Sequence, residues 1–257
     1  MTGLRGRLKQ GDLLLGQFVL EFFTPGIGPM LAASGLDFVI YDMEHGRCDV
    51  ALLEQMIASC RGTSIVPVVR VPDLNFAPLS RVLDLGARGV MVPRVETREE
   101  TQEIVRALKY APMGKRGVIT RSAHDLYCAA GPEFFAQCNE DIPIIIQLET
   151  IRAFENLEAI VSVPGVDVAW IGHYDLSVSM GIPAQFDHPR MMQAMDDLVA
   201  ACQEHGVAPG FLPPTPESAS HWIDKGFRMI SLGSDIGVFL DAMRKFRAFV
   251  AHRGPKA

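Results

Sequence analysis

The stretch Ile142–Thr150, IPIIIQLET, decides the fold. Ile142–Ile146 is β-branched apart from Pro143 and shows no alternating polar face. Such a run reads as a strand covered on both sides, the pattern of a parallel sheet rather than a half-wet one. It stops at Gln147-Leu148-Glu149-Thr150, and helical spacing takes over from Phe154 to Val163. A carboxylate at the C-terminal tip of a buried parallel strand stands where α/β barrels carry their chemistry. The next apolar run, Val166–Ile171, ends the same way, in Gly172-His173-Tyr174-Asp175. Two adjacent strands that each deliver an acid to one rim form a plausible seat for a divalent metal.

The same alternation extends in both directions. Leu13–Phe22, Phe38–Tyr41, Val66–Val71 and Gly89–Val92 read as strands one to four. Between them, helices are expected over Ile27–Ser34, Asp49–Arg61 and Asn75–Leu85, the last closed by Gly86. Thr97 is an expected N-cap, with Glu99 and Glu100 complementing the dipole of a helix that runs to Lys109. Tyr110–Asp141 breaks the rhythm and reads as a long functional or interface loop. Beyond the sixth strand come an irregular insert, Ser177–Pro189, and a helix over Arg190–His205. Ala208–Leu212 and Met229–Leu232 are strands seven and eight, with helices over Pro216–Lys225 and Val238–His252. Eight strand–helix pairs within 257 residues favour one closed (β/α)8 barrel, a single domain over 1–257, above an open sheet.

Composition narrows the function. The formal net charge of −6 comes without a basic block, so nucleic acid is not an expected partner. No apolar run approaches the length of a membrane span, and the N-terminus MTGLRGRLKQGD lacks the apolar core of a signal peptide. Five cysteines without C-x-x-C spacing fit reduced thiols, so the expectation is a soluble cytoplasmic protein.

The strand tips carry Asp42, Glu44, His45, Arg70, Arg94, Gln147, Glu149, Asp175 and Asp235. Glu149 and Asp175 offer hard oxygen ligands suited to Mg²⁺, Mn²⁺ or Co²⁺; helix capping is the competing reading for each. Asp42, three residues before His45, is placed to hold its imidazole in one tautomer for proton transfer, although an unrelated turn aspartate beside a surface histidine is commoner. Glu44 and His45 also remain open as metal ligands. Arg70 lies inside the apolar run VPVVRVP and needs a partner, either a buried carboxylate or an anionic ligand such as an α-keto acid. Gly233–Gly237 opens the last helix, where barrels often bind phosphate, but so short a glycine cluster is a weak signal. Arg121, His124 and Tyr127 in the long loop are candidates for the far end of a substrate, or for plain surface. None of the lysines falls in a strand or at a strand's C-terminal tip, which argues against Schiff-base chemistry.

The blocks DFVIYDMEHG (37–46), PVVRVP (67–72), LDLGARGVMVPRVET (83–97), IIQLET (145–150) and VDVAWIGHYDLSVSMG (166–181) together resemble the HpcH/HpaI aldolase family. The resemblance implies a barrel of the phosphoenolpyruvate/pyruvate-binding type. It implies a metal-dependent lyase that cleaves a 4-hydroxy-2-oxo acid into pyruvate and an aldehyde through a metal-stabilised pyruvate enolate. Glu149 and Asp175 are then the metal ligands, Arg70 binds the keto oxygen, and His45, oriented by Asp42, moves protons. Gln147 flanks the pyruvate, backbone amides from Gly172 to Asp175 receive its carboxylate, and Leu212 joins His173 and Tyr174 as substrate-binding residues. A homohexamer whose final helix packs on a neighbour is also implied. His173-Tyr174 departs from the small residues usual before the metal aspartate, and ITRSAHDLYCAA departs from the small-residue run usual after Arg116-Gly117-Val118. Two alternatives stand beside this reading. One is an acyl-CoA lyase of the malyl-CoA or citramalyl-CoA type that grips CoA with Lys115, Arg116 and Arg121. The other is a keto-acid-binding barrel without catalysis.

Overall fold

A computed structural model describes residues 3–74 and 76–251, with the backbone alone for 76–78. Its eight parallel strands close into a barrel in chain order, β1 pairing with both β2 and β8. The strands are β1 (Leu14–Val19), β2 (Phe38–Asp42), β3 (Val66–Arg70), β4 (Val90–Val92), β5 (Ile144–Leu148), β6 (Val168–Ile171), β7 (Ala208–Phe211) and β8 (Met229–Ser234). The expected (β/α)8 barrel is therefore present, with strand ends shifted by a few residues.

Two-residue periodicity divides the strand side chains between two cores. Phe18, Phe38, Ile40, Val68, Met91, Ile145, Val168, Trp170 and Met229 fill the barrel interior. Val39, Tyr41, Val69, Val90, Val92, Ile144, Ile146, Leu148 and Ile171 face the surrounding helices. Both sets are apolar because both faces are covered, which is why the strands read as continuous hydrophobic runs. Following the inward parity to each strand's C-terminal end reaches Asp42, Arg70 and Gln147. The site is thus the polar top layer of an otherwise apolar barrel. Gly210 permits that packing, since a Cβ there would lie 2.6 Å from the Trp170 ring.

The outer layer consists of α2 (Ile27–Ala33), α3 (Val50–Ser59), α4 (Phe76–Asp84), α5 (Arg98–Leu108), α7 (Ile151–Glu155), α8 (Leu157–Val161), α9 (His173–Ser179), α10 (Pro189–His205), α11 (Pro216–Lys225) and α12 (Asp235–Ala251). Local signals fix several ends. Thr97 and Glu100 form a reciprocal capping box at α5. Gly86 follows α4 with φ 103°, a left-handed position suited to glycine. Asn75 and His252, the expected start and end of two helices, lie outside the described residues.

Three segments differ from expectation. α1 (Leu4–Lys9) precedes the barrel and places Leu4 and Leu8 in the interior core, plugging the N-terminal end. The segment 110–141 holds a 3₁₀ turn over Ala123–Asp125 and a helix, α6 (Pro132–Asp141). Pro132 starts α6 at a position where a missing N–H costs nothing. The expected helix over Phe154–Val163 is split into α7 and α8 at Asn156, and Ser177–Ser179 complete α9 rather than an irregular insert. No described helix is long and apolar enough to cross a membrane.

Candidate active site

Asp42 and Arg70 are register partners on β2 and β3, so their side chains leave adjacent strands side by side. Arg70 Nε donates to Asp42 Oδ1 at 2.8 Å and Nη2 donates to Oδ2 at 2.6 Å, a bidentate pair. Burial works against the guanidinium charge, but the Asp42 bonds outweigh it and hold the pKa above the ordinary value. Nη1 lies 3.2 Å from Glu44 Oε2 and 3.4 Å from Gln147 Oε1, and the guanidinium sits 5.0 Å from the Phe18 ring centroid. Arg70 is thereby held firmly through Nε and Nη2, with Nη1 the least committed nitrogen.

Gln147 carries this network to Glu149, donating from Nε2 to Oε2 at 2.6 Å. Glu149 Oε1 accepts the Arg94 backbone N–H at 2.8 Å. Only 3 % of Glu149 is exposed. Burial, then the charges of Glu44 and Asp175, push its carboxyl up to about 7. Glu149 is thus buried, the Glu44 side chain is nearly so, and the exposed Asp175 lies close enough for its charge to act on Glu149. Glu44 Oε2 is buried without a hydrogen-bond partner, although Arg70 lies within ion-pair range. Such a donor set of hard oxygens fits a divalent cation. Gly172 leaves room for it: a Cβ there would lie 2.5 Å from Glu149 Oε2.

Helix capping is accounted for by other residues. Thr150, not Glu149, caps α7, accepting from the Ala153 N–H. Asp175 stands in the first turn of α9 rather than at its N-cap, which is Gly172. Both expected metal ligands are thus left without a capping role.

The expected Asp42–imidazole bond is not the one the structure forms. Asp42 spends both oxygens on Arg70, and Oδ1 also accepts the backbone N–H of Glu44 at 2.9 Å and, more loosely, of His45 at 3.4 Å. It shapes the turn that carries His45 instead of holding the ring. The half-exposed ring points toward Glu44, with Nε2 3.8 Å from Oε2.

His173 and Tyr174 also differ from expectation. His173 is 7 % exposed and packs against Phe186 and Tyr174, with ring centroids 4.7 Å away in each case. It borders a cavity of about 850 Å³ whose walls include Phe186, Met191, Met195, Phe211 and Trp222. Phe211, Met191, Met195 and Trp222 belong to the core outside the barrel, so the imidazole faces the helical layer. Burial holds its pKa down to about 4. What this pair can offer the site is the open N–H groups of the first turn of α9. Leu212 packs, half-buried, on the interior core at the end of β7.

Other expectations resolve by position. Tyr127 stacks under Arg61, just past the C-terminal end of α3, and the 3₁₀ turn contacts α4. Arg121, His124 and Tyr127 therefore lie toward the N-terminal end of their own barrel, away from Glu149. Arg116, one candidate grip for CoA, is buried against Asp84 at 2.7 Å with its guanidinium 4.5 Å over Tyr110. The Gly233–Gly237 loop is closed by its own carboxylate: Asp235 accepts N–H groups of Leu20, Glu21 and Phe22. Burial lowers the Lys109 pKa to about 8, but Nζ is held by the carbonyls of Asn139 and Ile142 before β5 begins. Lys256 lies outside the described residues.

The sequence marked Arg94 only as a rim residue and left Glu44 open as a metal ligand, and it gave no weight to Phe18. The signal for Phe18 was its inward parity on β1, level with the top polar layer.

The comparisons with known proteins agree with this geometry. The chain is 33% identical over 216 residues to a 5-keto-4-deoxy-D-glucarate aldolase from Klebsiella pneumoniae subsp. pneumoniae, covering 84% of each chain. The HpcH/HpaI aldolase of Desulfitobacterium hafniense DCB-2 superposes with a TM-score of 0.92 at 28% identity, covering 97% of each chain. The citrate synthase SbnG superposes with a TM-score of 0.88 at 30% identity over 99% of each chain. The model of the HpcH/HpaI aldolase/citrate lyase family matches residues 21–242. With a closed barrel, acids at the tips of β5 and β6 and a match over most of its length, the chain belongs to the HpcH/HpaI aldolase/citrate lyase family.

Proposed function

We propose that this barrel reversibly cleaves a 4-hydroxy-2-oxo acid into pyruvate and an aldehyde, with a divalent cation held by Glu149 and Asp175. The observation that carries the reading is the pairing of a crowded carboxylate cluster with a rigidly held arginine one residue layer away. A bound Mg²⁺, Mn²⁺ or Co²⁺ ion would supply Lewis-acid polarisation of the keto acid. Arg70, already fixed by Asp42 and Gln147, presents Nη1 to the keto oxygen and stabilises the negative charge that develops as the carbon–carbon bond breaks. Because Arg70 is preorganised, it needs no rearrangement at that moment. His45 takes the proton of the 4-hydroxyl group in cleavage and returns it in synthesis. Asp42 supports both groups, through side-chain bonds to Arg70 and backbone bonds to the turn bearing His45. First-turn amides of α9 receive the pyruvate carboxylate, and Leu212 supplies an apolar wall.

A homohexamer fits this reading. α12 leaves Leu240, Met243 and Phe246 exposed, with Phe246 at 68 %, so much of its apolar face is open among the described residues. Packing on a neighbouring subunit would bury it. The five free cysteines suit a reducing, cytoplasmic setting.

The test is pyruvate release from 4-hydroxy-2-oxo acids by chelator-treated protein, with each cation restored in turn. The sugar acid named for the relatives, 5-keto-4-deoxy-D-glucarate, is the first to try. Cation-dependent pyruvate release supports the reading. Cleavage of malyl-CoA or citramalyl-CoA instead would move the protein to the acyl-CoA class.

A further inference from the structure

A second concave site lies outside the barrel, between α10 and α11 at the C-terminal end of β7. It is the cavity of about 850 Å³ bordered by His173, and its volume is that of a small-molecule site. Its inner wall is formed by the buried side chains of Met191, Met195, Phe211 and Trp222, while Gln185, Asp187 and Thr215 stand exposed at the mouth. The wall is preformed, because the Phe227 ring backs both Phe211 and Trp222, with centroids 4.7 and 5.7 Å away. An apolar interior beneath a polar rim is the usual form of a ligand pocket.

One polar group is set into this wall without a partner. His173 is 7 % exposed, and its Nε2 is buried with no hydrogen-bond partner among the described residues. The ring itself is held in place by the rings of Phe186 and Tyr174. Leaving such an atom unpaired is costly, so an occupant that reaches it gains more than contact area. A neutral imidazole nitrogen donates or accepts according to its tautomer, and a hydroxyl group serves either. Among the described residues, no lysine or arginine lines the cavity, and Asp187 stands at its mouth. A carboxylate would therefore lose its hydration there without a counter-charge, which excludes the keto acids of the barrel site. Aromatic rings suit the walls, through edge contacts with Phe186, Phe211 and Trp222 and sulfur contacts with Met191 and Met195.

We propose that this cavity is a second binding site, for an uncharged aromatic hydroxyl compound of one or two rings whose hydroxyl group bonds to His173 Nε2. It goes beyond the aldolase reading and does not depend on it, since the side chains that line the cavity take no part in the metal seat or the Arg70 network. α9 is shared between the two sites: Asp175 serves the barrel mouth, and the His173 side chain serves the cavity.

The experiment titrates 2-naphthol into the full-length protein by calorimetry at neutral pH, with 2-naphthoate as the charged probe of the same ring system. It uses the wild type, His173→Phe, which keeps an aromatic ring and removes Nε2, and Ser218→Leu, which narrows the cavity from α11. The expected result is one naphthol per chain with a Kd below about 100 μM, and naphthoate weaker by at least about tenfold. His173→Phe should weaken naphthol about tenfold, as for one lost hydrogen bond, and Ser218→Leu by at least as much. Ser218 lies on a different element from His173, so a folding defect in the first variant leaves the second to decide. Excess pyruvate with Mn²⁺ should leave naphthol binding unchanged. Naphthol that does not bind, or binds no better than naphthoate, overturns the inference. So does binding that neither variant moves, or that pyruvate displaces, because the ligand then sits elsewhere. Binding lost in Ser218→Leu but unmoved in His173→Phe overturns the hydroxyl contact assigned to the imidazole.

Discussion

Replacing Glu149 by glutamine is expected to stabilise the metal-free protein above neutral pH, although it removes a carboxylate from the centre of the site. Glu149 is almost fully buried, and burial followed by the charges of Glu44 and Asp175 raises its carboxyl from an ordinary 4.5 to about 7. A raised folded-state pKa means that folding favours the protonated form. The associated stability is fully present below 4.5 and is lost as the pH climbs through about 7. At 1.36 kcal/mol per pH unit, the loss by pH 8 is ~3 kcal/mol. Glutamine stays neutral and avoids it, but cannot accept from both the Arg94 N–H and Gln147 Nε2, which costs ~1 kcal/mol. The net gain at pH 8 is ~2 kcal/mol, a rise in Tm of about 5 °C for a domain of this size. Near pH 4 the ranking should reverse. Thermal unfolding of chelator-treated wild type and Glu149→Gln across this range is the assay. Added Mg²⁺ or Mn²⁺ should raise the Tm of the wild type and leave the variant nearly unmoved. If the variant is equally or less stable at pH 8 without metal, the picture of an electrostatically frustrated carboxylate awaiting a cation is wrong.

Three substitutions probe the remaining parts. Arg70→Lys loses the two-point grip on Asp42, and pyruvate formation should slow by about a hundredfold, in line with a loss of ~2–3 kcal/mol; near-normal kinetics would remove Arg70 from the chemistry. His45→Ala should lower kcat by about 10²–10⁴ while pyruvate binding, followed by calorimetry, changes only a few-fold; equal losses in both would contradict a proton-transfer role. Gly172→Ala drives a methyl group to within 2.7 Å of the Glu149 Cβ as well as its carboxylate, so Mn²⁺ affinity should fall at least about tenfold with the far-UV spectrum retained. Unchanged affinity there would show that Glu149 does not hold the metal.

Much of the fold was legible because a strand covered on both faces must be apolar throughout, and Ile142–Ile146 and Val166–Ile171 carry that mark without ambiguity. The position of the site followed from the same rule, since the inward parity of β2, β3 and β5 ends in Asp42, Arg70 and Gln147. Partner choice was not legible. Asp42 lies three residues from His45 in sequence, yet the parallel register sets it opposite Arg70, twenty-eight positions away, and the stronger bidentate pair forms. His173 was misjudged for a similar reason: its neighbours Phe186 and Phe211 come from segments whose approach depends on how α9 and α10 pack. α1 was missed because it is only six residues long and is stabilised by plugging the barrel with Leu4 and Leu8, a tertiary contribution without a local signal. α6 escaped notice because its polar residues dilute the helical period, although Pro132 at its first position was a usable start signal.

Deuterium exchange at the methyl group of pyruvate tests the central claim most directly, because it requires the cation, Arg70 and the carboxylate cluster but no aldehyde. Protein stripped with chelator is incubated with pyruvate in D₂O, with and without Mg²⁺, Mn²⁺ or Co²⁺, and quenched samples are read by mass spectrometry. Exchange that appears only when a cation is restored, and is lost in Glu149→Gln, is the predicted result. Exchange that persists after complete metal removal, or its absence under every cation while pyruvate still binds, would contradict a metal-dependent aldolase.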